Sequence, residues 1–335
     1  MRLHSQLMSL LLTLAPVCQA GKIVSVDPGK QGAFDTLTEA TEQLEPGDTL
    51  WIAPGSGPYR EALRIRTSGT PSEPITIEGN GNEITGFDTL TFHEGQAHPP
   101  VSYPFVLRFE GKRVRETAAG QFEQGVGYDA ETGLLMLEPG TSDQGWEIST
   151  RQSVVTLQDV SHHLYRNLVA TGSLNDGFNL HGDGEGLIFE NITGSQNLDE
   201  GFSAHDTIRC EIRGGRFFEN DNGLMNVDAS ALRLEGVDVY DNLGFGIAFS
   251  SQTRVEMVNV RTWNNGIVQL LLRDDVLASC QDLQVYHNPY EKRPWISYKE
   301  SARRAQPTTW DISKGFAWQN GQPSFYPITS PEHVR

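Results

Sequence analysis

The sequence predicts an all-β fold, a single-stranded parallel β-helix with an N-terminal helical cap and a β-hairpin insertion. Three observations carry that prediction. A pattern recurs about every 23 residues from residue 160 to residue 288, each period contains three short alternating strands, and glycine fills 34 of 335 positions, above the usual share of roughly 7%. So dense a supply of turn residues favours short strands over long helices. A single coil of this size cannot cover its own apolar face, so neighbouring coils must stack to enclose a continuous core.

The period is read from six segments: HLYRNLVATG, LIFENITGSQN, EIRGGRFFEN, LRLEGVDVYDN, VEMVNVRTWNN and SCQDLQVYHN. In each, a short strand meets a corner residue and a second strand follows. The corners are Asn167, Asn191, Gly214, Gly236, Asn259 and Asp282, spaced 24, 23, 22, 23 and 23 residues apart. Asn and Gly tolerate the left-handed backbone that a sharp corner needs. Two residues before each corner stand Tyr165, Phe189, Ile212, Leu234, Met257 and Cys280, which predicts one interior row. A polar turn and a glycine (Gly177, Gly201, Gly223, Gly246 or Gly266) then lead into the third strand. Leucine-rich repeats share this length, but their Leu-x-x-Leu-x-Leu framework is absent. Propeller blades are longer, about 40 residues or more.

The rest of the chain fits the same plan. Arg2, an apolar run from Leu7 to Val17 and then Cys18-Gln19-Ala20 read as a cleaved signal peptide over residues 1–20, because the run falls short of the roughly 20 apolar residues a membrane span needs. Cleavage after Ala20 removes Arg2 and takes the net charge from −17 to −18. The mature product is expected in the periplasm or outside the cell, as a monomer. Residues 21–290 form the β-helix domain. Leu37, Ala40 and Leu44 would share one face of a short helix starting near Asp35, closing the open end of the stack. Residues 87–148 break the rhythm with hairpins turning at Glu110-Gly111 and Thr132-Gly133, and residues 291–335 read as a loop-rich cover for the far end. Cys210 and Cys280 lie three coils apart, about 14 Å at a rung spacing near 4.8 Å, too far for a disulfide. Both are expected as free thiols in the core. With 26 basic against 43 acidic residues, the chain lacks the basic footprint of a nucleic-acid binder.

The corner pattern, with the segment GDTLWIAPGSGPYREALRIRTSGTPSEPITIEGNGNEITG, resembles the right-handed parallel β-helix proteins of the pectate-lyase-like superfamily. The resemblance covers roughly residues 22–86 and 147–288. It implies a right-handed coil in which the glycine-led strand comes first and carries the substrate groove on its outer face. It also implies a carbohydrate-active protein with lyase- or epimerase-type chemistry on a polysaccharide. The same architecture hosts hydrolases, esterases and adhesins, so a non-catalytic glycan-binding or cell-surface module is the alternative.

Side chains alternate along a strand, so the outer face of the glycine-led strands can be read directly. Asn179 and His181 point outward in GFNLHGD, and Ser203 and His205 in GFSAHDT. In LMNVDAS, taking Met225 and Val227 as the interior pair turns Asn226 and Asp228 outward. Stacking then predicts a substrate-binding row of Asn179, Ser203 and Asn226. Beside it runs a row of His181, His205 and Asp228, continued by Ser250, with Asp183 and Asp206 adjacent. Removing the proton beside a uronate carboxylate suits a neutral imidazole near pH 7. His181 or His205 is therefore the expected base, with Asp228 orienting it. The uronate charge would be met by Arg273 or by Ca²⁺, for which Asp176, Glu200 and Asn222 are oxygen-ligand candidates. No lysine lies between residues 113 and 291, which excludes a lysine base in the central coils. The competing reading of these rows is a solvated ladder that only stabilises the stack.

Overall fold

The structure, a computed structural model, describes residues 21–286, Ser297 and the short strands Trp310–Asp311, Phe316–Gln319 and Gln322–Ser324. The predicted signal segment and most of the predicted C-terminal cover lie outside those residues. Within them the chain winds as a parallel β-helix. One sheet gathers the glycine-led strands, in the spatial order Leu63–Arg64, Val155–Gln158, Phe178–His181, Glu200–Ala204, Asn222–Asn226, Phe245–Phe249 and Val268–Leu272. A second sheet holds His163–Arg166, Leu187–Ser195, Arg209–Phe218, Ala231–Tyr240, Arg254–Trp263 and Leu277–Val285. From Leu187 onward the second and third strands of a coil run on as one strand bent at the corner. There Asn191, Gly214, Gly236, Asn259 and Asp282 all have φ between 52° and 72°.

Phe189 pairs in register with Ile212, and Ile212 with Leu234, as consecutive interior layers. All three are fully buried, each contributing roughly 1.5–3 kcal/mol of apolar burial. Cys210 is buried in the same core, whereas Cys280 is half-buried at its edge; both thiols are free. At the N-terminal end, a single helical turn, Leu37–Thr41, starts at Thr36, whose hydroxyl accepts the Glu39 N–H. Leu37, Ala40 and Leu44 are buried against the first coils.

A row of buried asparagines joins the turns that precede the glycine-led strands. Asn220 Oδ1 accepts the Asn197 backbone N–H (3.1 Å) and side-chain amide (2.9 Å), while the Asn220 amide donates to Gly194 O (3.0 Å). Asn242 does the same for Asn220, and Asn265 for Asn242. Gln269 Oε1 closes the row by accepting from Asn265 N (3.0 Å) and Nδ2 (2.8 Å). Backbone groups of a buried turn that would be costly to leave unpaired are thereby satisfied. The glycine that follows is required by close approach between the two sheets. A Cβ on Gly223 would lie 2.2 Å from Val239 Cγ1 and 2.6 Å from Gly246 O.

The insertion is two small antiparallel sheets with their own core around Phe105, Leu135 and Trp146. Its hairpins turn where the sequence predicts. Leu107–Phe109 pairs with Lys112–Val114 across Glu110-Gly111, both at positive φ, and Val126–Asp129 pairs with Leu134–Leu137. Arg108 ties the insertion to the first coils through Glu83 (2.7 Å) and is braced within the insertion by Glu147 (2.6 Å). Arg113 Nη1 donates to the carbonyls of Asn197 (2.8 Å) and Glu219. The first hairpin is thus held against the turns that open the glycine-led strands.

Candidate functional site

Strand pairing fixes what the outer face of the glycine-led sheet displays. One outward row runs Arg64, Thr156, Asn179, Ser203, Met225, Ala248 and Leu271. Two residues further along each strand, a second row runs Gln158, His181, His205, Val227, Ser250 and Arg273. Gln158 pairs with His181, and the backbone N–H groups of His205, Val227, Ser250 and Arg273 bond the carbonyls of Leu180, Ala204, Asn226 and Phe249. The continuous polar stretch therefore ends at Ser203 and His205, and in the second row Val227 separates it from Ser250 and Arg273. Beyond it Ala248 and Leu271 are buried in an apolar cluster with Phe245 and Val268.

Two expected placements are corrected by this register. Asn226 is an interior residue, fully buried between Ala204 and Phe249, and its amide donates to Ser230 Oγ (3.4 Å). Asp228 is not in the histidine row, where Val227 stands; it occupies the next position, a corner at φ 61°. Leu224 and Met225 are both apolar, so alternation alone allows either phase, and a one-residue slip exchanges the faces. The pairing of Leu224 with Phe202 and Ile247 decides it.

His181 and His205 do come together. Their rings stack with centroids 4.1 Å apart and planes 12° from parallel. His181 Nδ1 lies 3.4 Å from Asp206 Oδ2, and His205 Nε2 lies 2.7 Å from Ser203 Oγ. Burial first, and then the neighbouring His181, push the His205 pKa below its ordinary value, against the opposing pull of Asp228, Asp206 and Asp199. Asp206 also accepts the Gly182 N–H (2.8 Å), the main reason its carboxyl sits below the usual range. Asp228 Oδ2 accepts the Asp206 N–H (3.1 Å), so it acts on His205 through space alone. Asp183 is exposed beside them and accepts from Thr207 Oγ1 (2.9 Å). Asn179 and Ser203 are buried on the outer face, and Asn179 Oδ1 and Thr156 Oγ1 have no hydrogen-bond partner among the described residues. Arg273 stands three rungs from His205, about 14 Å at the rung spacing, with its Nε 3.6 Å from Asp274.

At the opposite end of the same strands, Asp176 and Glu200 converge, joined by Asp199. The three buried carboxylates offer oxygens within 4.8 Å of one another. Asn222 Nδ2 donates to Glu200 Oε1 (3.1 Å), and the Glu200 N–H donates to Asp176 Oδ1 (3.2 Å). Burial, then Asp199 and Asp176, push the Glu200 carboxyl well above the usual carboxylate range. Hard oxygen donors crowded in this way fit a Ca²⁺ ion. Asp199 was legible only as the acidic neighbour of Glu200. Glu200 and His205 are five residues apart on one strand, about 16 Å at roughly 3.3 Å per residue, so the two clusters do not serve one sugar ring.

No family model matches the sequence, and no curated protein matches it either. Among solved structures, the chain is similar to pectate lyase Pel9A, with a TM-score of 0.52 at 12% identity over 81% of this chain. It spans 63% of that lyase's length. It is also similar to XylC in complex with xylose (TM-score 0.49, 10% identity, 80% of this chain and 71% of that one). A third neighbour is an alginate lyase from Paenibacillus (TM-score 0.38, 14% identity, 79% of this chain and 76% of that one). The likeness to the pectate lyase establishes the fold alone, a pectate-lyase-like parallel β-helix. Among the described residues no helix is long and apolar enough to cross a membrane.

Proposed function

We propose that this is an exported carbohydrate-active protein that binds a polysaccharide along the outer face of the glycine-led sheet and modifies it by removing a proton beside a uronate carboxylate. The observation that carries the reading is the stacked pair His181 and His205, with Asp206 on one side and Ser203 on the other. His205 is held below its ordinary pKa and its Nε2 is engaged by Ser203. His181 is half-exposed and its Nδ1 faces Asp206, so its Nε2 is the nitrogen open to the groove. His181 would take the C5 proton while Asp206 steadies the imidazolium, and neutral His205 would avoid a second adjacent cation. In β-elimination the electron pair left at C5 forms a C4–C5 double bond as the C4–O glycosidic bond breaks, and the leaving oxygen would take up the proton held on His181. In epimerisation a proton returns to C5 from the other face.

Asp176, Asp199 and Glu200 would hold Ca²⁺; Asn222, whose Oδ1 accepts the Phe245 N–H (2.9 Å) and whose Nδ2 faces Glu200, would not be a ligand. The ion would supply positive charge to three crowded carboxylates and tie two successive coils together. The test is a panel of uronate and neutral glycans incubated with the wild type, His181→Ala and Asp206→Asn. A lyase yields unsaturated product and an epimerase exchanges substrate protons with solvent. Either activity should fall about 10²–10⁴-fold in His181→Ala. A wild type that binds glycan and never turns it over would leave the non-catalytic module, a reading favoured by the near-complete burial of Ser203.

A further inference from the structure

We infer that Arg64 and Arg66 form an anion subsite at the N-terminal end of this face, taking a carboxylate or sulfate group of an acidic glycan. The inference rests on the glycan-binding reading above and adds the substrate's charge. Leu63 and Ile65 point into the core while Arg64 and Arg66, alternating with them, are exposed on the outer face. Arg64 pairs in register with Thr156, Thr156 with Asn179, and Asn179 with Ser203. The two arginines therefore begin the polar rows that end at Ser203 and His205.

They also line a cavity of about 630 Å³ between the capping helix and the first coil, beside Thr67, with Glu42 as its acidic member; the Thr38 and Thr41 hydroxyls on its wall already donate to Glu61 Oε2 and Thr38 O (both 3.0 Å). Neither guanidinium makes an ion pair or hydrogen bond among the described residues, whereas Arg60, Arg108 and Arg151 nearby are all paired to carboxylates. On the line between Arg64 and Ser203, Thr156 Oγ1 and Asn179 Oδ1 are buried with no hydrogen-bond partner among the described residues, Asn179 being 7% exposed. Orphaned polar atoms on a row that starts at unpaired cations mark a track for a ligand rich in hydroxyls and negative charge. Such a site also answers how a chain of net charge −17 would hold a polyanion. Arg64 to Ser203 spans three rungs, about 14 Å, so a short oligosaccharide would reach from the arginines to the histidines.

The experiment is affinity electrophoresis of the wild type and of Arg64→Gln/Arg66→Gln through gels holding polygalacturonate, a sulfated galactan or a neutral glucan, at low and moderate salt. Thermal unfolding of both proteins serves as the folding control. Retardation by an acidic glycan that is salt-sensitive and at least fivefold weaker in the double variant supports the subsite, and the gel in which it occurs tells carboxylate from sulfate. Equal retardation of both proteins by acidic glycans overturns the subsite and leaves the glycan-binding reading standing. Retardation by the neutral glucan alone does the same. No retardation in any gel overturns both.

Discussion

His181 and His205 stack face to face on successive rungs of one sheet, ring centroids 4.1 Å apart. Two imidazolium ions at that distance would repel, and His205 is the ring that burial keeps neutral.

Removing one ring should therefore retune the other. In His181→Ala the His205 pKa is expected to rise toward the ordinary value of about 6.5, because a like-charged neighbour is lost and water is admitted. Titration of the His205 ring protons by NMR checks this. An unchanged or lower pKa would mean that the stack carries no electrostatic coupling.

Glu200 is expected to make the fold sensitive to base and, at the proposed site, to Ca²⁺. Its carboxyl is raised above the unfolded value, so the native state binds the extra proton. The associated stability is complete below about pH 4.5 and is lost as pH rises through the folded pKa. Without Ca²⁺, raising pH from 5 toward 8 should lower the melting temperature, and millimolar Ca²⁺ should restore it by several degrees. Glu200→Gln should flatten the pH dependence and abolish the Ca²⁺ response; a full response in that variant would place the ion elsewhere.

His163 imposes the opposite dependence. It is buried beside Tyr165, with Nε2 donating to Thr67 O (2.8 Å) and Nδ1 3.0 Å from the Tyr165 hydroxyl. Burial lowers its pKa to about 4. Between about pH 6.5 and 4 the unfolded chain binds the extra proton, so native stability falls by about 3 kcal/mol as pH drops through that window. Urea unfolding at pH 7 and pH 4.5 should show a loss that shrinks by about 2.5 kcal/mol in His163→Gln.

Asn220 bridges the turns of three coils. Asn220→Ala would orphan the buried Asn197 N–H and leave the amides of Asn197 and Asn242 short of a partner. A cost of about 2–4 kcal/mol is expected in chemical denaturation, against less than 1 kcal/mol for exposed Asp183→Ala.

The coil stack was legible because period, corner residues and interior row gave the same answer: Asn191, Asn259 and Asp282 turn where their spacing places them. What stayed hidden depended on neighbours in space. In LMNVDAS two adjacent apolar residues allow either phase, and only pairing with Phe202 and Ile247 shows that Leu224 faces inward. The buried asparagines at 197, 220, 242 and 265 recur at the repeat period, yet polar residues before a glycine also read as ordinary turn chemistry. His181 and His205 were placed on one row by alternation, whereas the partnership of His181 with Asp206 rather than Asp228 needs the left-handed corner between them.

The asparagine row has a directional grammar. Each amide oxygen serves the coil before it, and Gln269 supplies the terminal full stop. Inserting or excising one complete winding between Asn197 and Asn242 would leave every amide facing the same kind of counterpart. The outer track can therefore lengthen or shorten by whole modules, so that evolution could match it to longer or shorter sugar chains while the interior keeps its rules.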